Sequence, residues 1–539
     1  MIINIAVEAV RSYVKEKYSK VEYEKIIKEI RKLANAELIT KECRELIKIA
    51  SYDELQSFLS KINEKESIRK KKGVYYTPVD VVKFIVDNCI KVHISKTVIN
   101  VGVDNIDFEE VDCSILDPTC GAGEFVLYAL EKKYDTIDKL NDENKKDLIV
   151  RAIASVFGND INSESVEIAK LRTFLLTLDR YGIDCCIGLS KIINSQFTSN
   201  DFVSSTLNAS KKYDIIVGNP PYVEDFKSGL NLQEKYGNIY ANVLVNSAHI
   251  LRENGSMGFV IPLSYISTKR MQKLREKILD YLPLQYIMSF ADRPDCLFDG
   301  AHQKLCILIG KKSKSKREIY TSHYLYWYKE ERYRLLRSID LIKNDFLNDV
   351  FIPKIGNSMD YAIYKKITDL TRMKKIYDVS RDGEEKVYLN RRETFWMKAY
   401  RQKINDPDYK IFSFENALGA DYCYCLINSS LFWWYWICVS DCWHVSKDLN
   451  GFMTPEIPQD ETISKLAHDL MYKLEETKMY VGTKQTSYEY KHRLCLKEIH
   501  AIDDYINKLY GLTKNEGEYI KNYALRYRTS GGAKIRECH

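Results

Sequence analysis

Between about residues 74 and 310, short apolar runs alternate with longer stretches of helical spacing, and this alternation constrains the fold most. Examples are "CSILDPTCGAGEFVLYALEKK", "YDIIVGNPPY" and "KLCILIGKK". A strand, a crossover helix and a second strand place the two strands parallel in one sheet. The pattern therefore predicts an α/β fold with a mostly parallel sheet.

The rest of the chain has a different character, and 539 residues are too many for one hydrophobic core. Residues 1–66 mix apolar and charged side chains at helical spacing, without Pro or Gly. Residues 319–458 hold Tyr- and Trp-rich runs of unclear periodicity. Residues 459–539 return to helix, and Thr513 and Glu516 have capping-box spacing. We predict four regions: a helical segment 1–66, an α/β domain 67–318, a mixed α+β domain 319–458 and a helical region 459–539.

Composition excludes several classes of protein. The chain is 45% hydrophobic and 29% charged, as in globular proteins. The longest apolar stretch, Leu426–Val439, contains Asn428, Ser429 and Ser430 and is too short to span a membrane. We recognise no signal peptide at the N-terminus. Fourteen Cys without a regular framework indicate reduced thiols. We therefore expect a cytoplasmic protein with no membrane partner.

Positive charge is concentrated in the second half. Residues 301–539 hold 40 Lys and Arg against 32 Asp and Glu, whereas the whole chain has a net charge of +6. The excess is densest in 301–410, with 25 against 15. A basic half that is rich in tyrosine fits a polyanion such as nucleic acid, although a solvated basic face is the ordinary alternative.

A glycine turn follows the first predicted strand of the α/β region. In "SILDPTCGAGEF" the strand Ser114–Leu116 leads into Asp117, and Gly121 and Gly123 precede a helix that begins near Glu124. Glycines let the backbone bend tightly and approach a ligand. The third glycine of a dinucleotide fingerprint is missing, and nothing resembles a phosphate-binding lysine loop. We therefore expect a nucleoside ligand without a pyrophosphate.

The next predicted strand, "SVFGND", ends on Asp160. A carboxylate at the end of the second strand can hold both hydroxyls of a ribose. The alternative is that Asp160 caps the helix that begins near Ser163.

A third strand, Tyr213–Val217, stops at Gly218 and is followed by Asn219, Pro220, Pro221 and Tyr222. Two consecutive prolines cannot donate backbone hydrogen bonds or continue a ladder. The simplest interpretation is a stiff turn. A polar amide at the end of a buried strand, held by prolines beside an aromatic ring, also suggests a site.

Five motifs in order resemble one family. "GVYYTP" (73–78), "DPTCGAG" (117–123), "FGNDI" (157–161), "SNDF" (199–202) and "NPPY" (219–222) are similar to those of the amino-methyltransferases that modify DNA adenine with S-adenosylmethionine. Their order resembles the gamma arrangement of restriction-modification methylases. The resemblance covers about 70–310 closely and extends loosely to a C-terminal target-recognition region. It implies a Rossmann-like methyltransferase fold.

The resemblance assigns a role to each motif. Tyr76, Thr77 and Pro78 would contact the methionine end and the adenosine of the cofactor, and Asp117, Pro118, Gly121 and Gly123 would form the turn beneath it. Asp160 would bind the ribose, and Ile161 would lie against the adenine. Asp201 would accept from the adenine amine, and Phe202 would pack on that ring; the alternative for this pair is a plain strand end.

The NPPY motif would carry the chemistry. An aromatic amine is a poor nucleophile because its lone pair is delocalised into the ring. The Asn219 side-chain oxygen and the Pro220 carbonyl, fixed by Pro221, would accept from both N–H bonds and localise that lone pair. No metal is needed. Tyr222 would stack on a base flipped out of the duplex. Phe298 would form the opposite wall of the base pocket, or it is ordinary core packing.

The resulting prediction is a site-specific DNA adenine-N6 methyltransferase that acts on double-stranded DNA. Alternatives with the same chemistry are the methyltransferase subunit of a multisubunit modification complex, and an enzyme that methylates RNA adenine or protein glutamine. A different alternative is an inactive scaffold, which need not bind S-adenosylmethionine. A cognate restriction enzyme or a specificity subunit is a further expected partner.

Three other features have weaker functional interpretations. Cys423, Cys425, Cys438, Cys442 and His444 lack the spacing of a paired zinc knuckle in a strongly apolar segment, so we expect buried thiols. Cys120 has no histidine base nearby in the sequence. The four tryptophans of this region, Trp433, Trp434, Trp436 and Trp443, are more often core residues than contacts for DNA bases.

Overall fold

The structure is a computed structural model. It describes residues 2–35, 49–62, 76–95, 100–102, 110–140, 144–204, 211–298, 300, 302–337, 339–347, 350–369, 373–376, 380, 383–404, 409–446, 448–482 and 487–529. Residues 73–75 of the first motif lie outside this description.

A nine-stranded sheet forms the centre of the molecule, in the order β3-β2-β1-β4-β5-β7-β6-β8-β9. The strands are β1 Ile115–Asp117, β2 Val156–Asn159, β3 Phe197–Thr198, β4 Tyr213–Gly218, β5 Leu251–Pro262, β6 Leu284–Phe290, β7 Leu305–Lys311, β8 Glu318–Leu325 and β9 Ile342–Lys343.

Pairing in this sheet is mostly parallel, as the alternating pattern predicts. The first five strands in the order, β3 to β5, are all parallel. The strand β7 runs antiparallel between β5 and β6, and β8 pairs parallel with β6. The strands β1, β6 and β7 and residues 255–261 of β5 are nearly continuous runs of buried residues, which is what a sheet covered on both faces requires.

Helices cover both the sheet and the ends of the chain. Their bounds are Ile2–Lys17, Lys20–Leu33, Tyr52–Lys61, Val79–Ile94, Glu124–Lys139, Lys145–Ala154, Ser163–Tyr181, Ile183–Cys186, Leu189–Gln196, Asp225–Ser228, Ile239–Ile250, Ser264–Ser267, Gln272–Tyr281, Arg332–Leu335, Ser358–Ile367, Ala417–Asn428, Ser430–Val439, Thr462–Thr477, Leu496–Leu509, Lys514–Asn522 and Leu525–Thr529.

The C-terminal half adds small sheets to these helices. A three-stranded sheet has the order β12-β11-β13, built from β11 Glu385–Asn390, β12 Ala399–Tyr400 and β13 Tyr409–Phe414. Two pairs of short strands complete the set: β10 Lys374–Lys375 with β14 Met453–Thr454, and β15 Met479–Tyr480 with β16 Tyr488–Glu489. The C-terminal half therefore mixes helices with short strands, as the predicted fold class expects.

The central sheet continues beyond the predicted boundary at residue 318. That residue begins β8, which pairs with β6 over most of its length, and β9 extends the sheet to Lys343. The sheet thus joins the second and third predicted regions across their limit, and one hydrophobic cluster of buried residues runs from Ile3 to Tyr523. The domain limits stay a prediction.

The helical ends agree with their sequence patterns. The capping box at Thr513 is present, because the threonine hydroxyl accepts from the Glu516 N–H and the Glu516 carboxylate accepts from the Thr513 N–H. The apolar stretch 426–439 is divided between two helices that meet at Ser429. Among the described residues, no helix has the length and hydropathy of a membrane span.

Candidate active site

The site lies at the carboxyl edge of the parallel strands. In the order β3-β2-β1-β4-β5, the chain proceeds from β1 toward β3 on one side and starts again with β4 on the other. Such a reversal opens a crevice between the two neighbouring strand ends, here β1 and β4. Asp117 ends β1, and Asn219 directly follows β4. The fold therefore brings together the two motifs that carry the predicted binding and chemistry.

The glycine turn has the backbone geometry that its sequence predicts. Gly121 has φ 51° and Gly123 has φ 97°, both in the left-handed region that glycine adopts without strain. Gly123 is the N-cap of the helix Glu124–Lys139. A Cβ on Gly123 would lie 3.1 Å from Ala169 Cβ, whereas nothing lies within 4 Å of a Cβ built on Gly121. Gly123 thus allows close packing of two helices, whereas Gly121 leaves open space beside the backbone.

Asp117 is buried beneath this turn. Its carboxylate accepts from the Thr119 N–H at 3.0 Å, and the side chain is 1% exposed. Burial raises the pKa of Asp117 well above its ordinary value, with the negative charge of Asp160 acting in the same direction. Gly218 stands against this carboxyl, since a Cβ there would lie 2.8 Å from Asp117 Oδ1. A side chain at Gly218 would displace Asp117.

Asp160 joins two turns. Its carboxylate accepts from the Gly121 N–H at 2.9 Å and from the Asn162 N–H at 2.8 Å. The helix Ser163–Tyr181 is capped by Asn162, whose side chain accepts from the N–H groups of Glu164 and Ser165. The alternative that Asp160 is this helix's cap is therefore wrong.

Sequence reasoning overlooked Asn159, which holds three strand ends in place. Its amide donates to the carbonyl oxygens of Pro118 at 3.1 Å and Asn200 at 3.0 Å. Its oxygen accepts from the Thr198 hydroxyl at 2.8 Å and the Asn200 N–H at 3.2 Å. The side chain is 7% exposed. The signal was an amide directly before Asp160 in a strand that otherwise holds apolar residues and glycine.

The Asn219 carboxamide is held at both ends. Its nitrogen donates to the Thr77 hydroxyl at 3.0 Å. The Tyr222 hydroxyl lies 2.6 Å from Asn219 Oδ1 and 2.9 Å from the Val260 carbonyl oxygen. Thr77 is buried, and it belongs to the first motif. The fold thus connects the first and last motifs, 142 residues apart, through one hydrogen bond.

A cavity of about 440 Å³ connects these elements. Eleven of the predicted residues line it: Tyr76, Thr77, Asp117, Pro118, Gly121, Asp160, Ile161, Asp201, Phe202, Asn219 and Pro221. Five do not, namely Pro78, Gly123, Pro220, Tyr222 and Phe298. Phe298 is 1% exposed within the hydrophobic core, which favours its core-packing alternative. The volume is that of a site for a small organic ligand.

The far wall of the cavity comes from the end of β3 and from the loop after β2. Asp201 accepts from the N–H groups of Val203 at 2.9 Å and Ser204 at 3.1 Å, so it closes a local turn. Phe202 is 8% exposed, and its carbonyl accepts from the Asn246 amide. Ile161 is 65% exposed at the rim. An apolar side chain so exposed beside a cavity is available to cover a ring.

The cysteines behave as the sequence predicts. Cys423, Cys425, Cys438 and Cys442 are buried free thiols. Burial, with the negative charges of Asp117 and Asp160, raises the pKa of Cys120 well above its ordinary value, which disfavours the reactive thiolate.

Part of the chain matches known restriction-modification proteins. Residues 154–296 match the family model described as Eco57I restriction-modification methylase. The Type II methyltransferase M.VspI of Vibrio sp. (strain 343) is 23% identical over 230 residues, which is 40% of this chain and 43% of that protein. The Type II restriction enzyme and methyltransferase RM.Eco57I of Escherichia coli is 24% identical over 350 residues, 56% of this chain and 33% of that protein. The chain thus spans less than half the length of these curated relatives.

A solved structure supports the fold. The Type IIL restriction-modification enzyme MmeI, determined in complex with DNA, superposes with a TM-score of 0.52 at 12% identity, over 91% of this chain and 84% of that one. The matched family segment contains β2, Asp160 and the Asn219 turn. The part of the chain that builds β2, Asp160 and the Asn219 turn is therefore similar to the Eco57I restriction-modification methylases.

Proposed function

We propose that this protein transfers a methyl group from S-adenosylmethionine to adenine N6 in double-stranded DNA after flipping the base. One observation carries the proposal: a single cavity joins the glycine turn and Asp160 to the Asn219 carboxamide. A nucleoside cofactor at one end of the cavity and a reacting amine at the other would meet inside it. The gamma order of the motifs and the adenine specificity belong to this proposal.

The cavity has features that fit the cofactor. Its volume of about 440 Å³ suits a ligand of that size, and the open side of Gly121 lets the backbone approach closely. Asp160 accepts from two backbone N–H groups, which fix its carboxylate at the cavity, and a carboxylate so placed would hold the ribose hydroxyls of the bound cofactor. The exposed Ile161 would cover the adenine, with Asp201 and Phe202 on its other edge.

At the opposite end, Tyr76, Thr77 and Pro78 would hold the methionine portion. When bound, the cofactor supplies a methyl group on a cationic sulfur. Thr77 would also orient Asn219. Its hydroxyl accepts from the Asn219 nitrogen, so the Asn219 oxygen faces away from Thr77.

Asn219 would then act as an acceptor for the target amine. Its oxygen is a two-lone-pair acceptor that the Tyr222 hydroxyl contacts at 2.6 Å. With the target base in the cavity, this oxygen and the Pro220 carbonyl would accept the two N–H bonds of the amine. Positive charge develops on that nitrogen during transfer, so two fixed dipoles stabilise the transition state more than the ground state. Pro220 and Pro221 keep the acceptor in place, since their φ angles are fixed.

DNA is the substrate that the charge favours. The excess of Lys and Arg in residues 301–410 would neutralise phosphates and make affinity salt-dependent, whereas base contacts from the C-terminal half would select the site. A cognate restriction enzyme or specificity subunit would be a further partner.

The test combines cofactor binding with methylation. The purified chain should bind S-adenosylmethionine in a calorimetric titration, and D160A should weaken that binding. DNA from cells that express the chain should carry N6-methyladenine in one short motif by single-molecule sequencing. N219A should keep cofactor affinity yet lower turnover by about 100-fold or more.

Other outcomes separate the alternatives. Wild-type protein that binds no S-adenosylmethionine would indicate an inactive scaffold. If the chain binds S-adenosylmethionine and methylates RNA or a protein glutamine but not DNA, the proposed DNA substrate is wrong. Methylation that appears only with an added subunit would assign the chain to a multisubunit complex. Normal turnover by N219A would contradict the mechanism.

A further inference from the structure

Trp443 differs from the other tryptophans of its segment. Trp433, Trp434 and Trp436 lie on the helix Ser430–Val439 and are at most 1% exposed. Trp443 follows that helix and is 42% exposed. Burial accounts for the first three as core residues, but it does not account for Trp443.

The turn that presents Trp443 is held firmly. Asp441 Oδ1 accepts from the Trp443 N–H at 3.0 Å and the His444 N–H at 3.3 Å. Cys442 has φ 56°, a left-handed conformation that is costly for a residue with a side chain. The Trp436 indole donates to the His444 carbonyl at 3.3 Å, which ties the turn to the helix before it. The indole of Trp443 is therefore displayed from a fixed backbone.

Lys304 supports one face of this indole. Its ammonium lies 4.1 Å from the ring centroid and 3.2 Å from the carboxylate of Asp292, which is 4% exposed. A buried carboxylate thus anchors the lysine that lies against the ring. The residue is 42% exposed, and the exposed part of the ring can receive a flat partner.

This arrangement lies beside the proposed catalytic turn. The Lys304 carbonyl accepts from the Leu263 N–H, just past the end of β5, and the Tyr222 hydroxyl contacts Val260 on that strand. Two strand spacings, from β4 through β5 to β7, separate the Asn219 turn from Lys304, about 10 Å across the sheet. A nucleic acid whose base enters the cavity would pass over this part of the edge.

Two exposed arginines extend the surface. Residues Arg392 and His444 form an antiparallel bridge, and the Arg391 carbonyl accepts from the Val445 N–H. Burial lowers the pKa of His444, and Asp441 opposes it, while the charges of Arg392, Arg391 and Lys410 act in the same direction as burial. Three cationic side chains, Arg391, Arg392 and Lys410, therefore lie close enough to His444 to act on it.

We propose that Trp443 stacks on a nucleobase of the DNA beside the target adenine, while Arg391 and Arg392 hold the adjoining phosphates. Lys304, Arg391, Arg392 and Trp443 together are called the Trp443 platform. A cation beneath an aromatic ring, flanked by guanidinium groups, suits a polyanion with flat bases better than it suits a protein surface. This inference rests on the proposed function and names residues that would position its substrate.

The experiment measures binding to a short fluorescein-labelled duplex that holds the methylated motif, by anisotropy over a series of salt concentrations. W443A should weaken affinity by about 5- to 150-fold, the range for loss of one stacked base. W443F should restore most of it, because a phenyl ring still stacks. R391Q and R392Q should each lower the salt slope by about 1.

Controls separate contact from folding. Y472A removes another exposed aromatic ring, from the helix Thr462–Thr477, and should leave affinity unchanged. S-adenosylmethionine affinity should be normal in every variant. R392Q tests the same surface without altering the indole.

The outcomes are distinct. Wild-type protein that methylates DNA, with W443A binding the duplex equally well, would overturn this inference alone. Equal losses in W443A, W443F and Y472A would also overturn it, since stacking predicts a difference. Wild-type protein that binds cofactor but no duplex would overturn the proposed function, and this inference with it.

Discussion

At the scale of single residues, the Tyr222 hydroxyl changes the interpretation of the catalytic turn. The sequence assigned Tyr222 to base stacking, which depends on its ring alone. The structure places its hydroxyl 2.6 Å from Asn219 Oδ1, and Thr77 holds the other end of the same amide. The orientation of Asn219 therefore depends on two side chains, and the hydroxyl contact of Tyr222 can be tested separately from the proposed stacking of its ring.

We expect Y222F and Y222A to differ. Y222F removes the hydroxyl and keeps the ring, so it should lower kcat by up to about 10-fold, through loss of one orienting hydrogen bond, at unchanged DNA affinity. Y222A should lower turnover further on duplex DNA than on a substrate whose target base is already unpaired. Steady-state kinetics on both substrates measures this. Equal losses on the two substrates would argue against the stacking role.

At the scale of elements, two positions of one turn have separate physical causes. Gly121 and Gly123 both have positive φ, yet only Gly123 packs against the helix Ser163–Tyr181, at Ala169. Gly121 lines the cavity instead. The spacing GxG thus combines a ligand-facing position with a helix-packing position.

G123A and G121A should separate these causes. Both place alanine in the left-handed region, at a cost of about 1–2 kcal/mol. G123A adds a contact at 3.1 Å and should lower Tm more. G121A should weaken S-adenosylmethionine binding with a smaller fall in Tm. Thermal denaturation measures the Tm of each variant, and calorimetry measures its S-adenosylmethionine affinity. A larger fall in Tm for G121A than for G123A would contradict the assignment of Gly123 to helix packing.

A buried carboxyl at a helix start predicts a pH dependence. Asp503 Oδ1 accepts from the Ser430 N–H at 2.7 Å, at the beginning of the helix Ser430–Val439. Burial raises the pKa of Asp503 to about 6. The unfolded chain loses this proton near pH 4, whereas the folded chain keeps it until about pH 6. Stability present below about pH 4 is therefore lost as the pH rises through about 6, on the order of 3 kcal/mol.

D503N removes this titration and keeps an oxygen for the Ser430 N–H. The Tm of wild-type protein, relative to that of D503N, should fall as the pH rises from about 4 to about 6. If the Tm of the two proteins changes with pH in the same way, Asp503 has the same pKa in the folded and unfolded chains.

At the scale of the whole molecule, the segment Leu525–Thr529 connects the C-terminal half to the end of β8. The Arg528 guanidinium lies between the indoles of Trp396 and Trp433, at 4.1 and 4.2 Å, and donates to the Phe395 carbonyl at 3.0 Å. Its neighbour Tyr527 stacks on Tyr326 with ring centroids 5.6 Å apart. One short helix thus contacts both the segment that follows β8 and the helix Ser430–Val439.

R528A and R526A are a matched pair for this connection. Arg528 is 4% exposed, and its loss should cost about 2–4 kcal/mol through a cavity and two lost cation–π contacts. The Arg526 side chain is 60% exposed and pairs with Glu331, so R526A should cost less than about 1 kcal/mol. Chemical denaturation measures both. Similar losses of unfolding free energy in the two variants would show that the buried Arg528 stabilises the fold no more than the exposed Arg526.

The sequence by itself determined the local features. Periodicity gave the alternating strands and helices, glycines marked positive φ at residues 121 and 123, and the Thr513 capping box was readable from spacing alone. These features depend on residues close together in the chain, where sterics and local hydrogen bonds decide. The motifs also named most residues that line the cavity.

Only the tertiary structure decided what depends on distant contacts. It showed Asn159 joining three strand ends, Asn162 rather than Asp160 capping its helix, and Phe298 in the core. It carried the sheet past residue 318, because β8 pairs with β6. It also separated the exposed Trp443 from three buried tryptophans. Burial and partnership arise from packing between segments far apart in the chain, which one sequence does not encode at any single position.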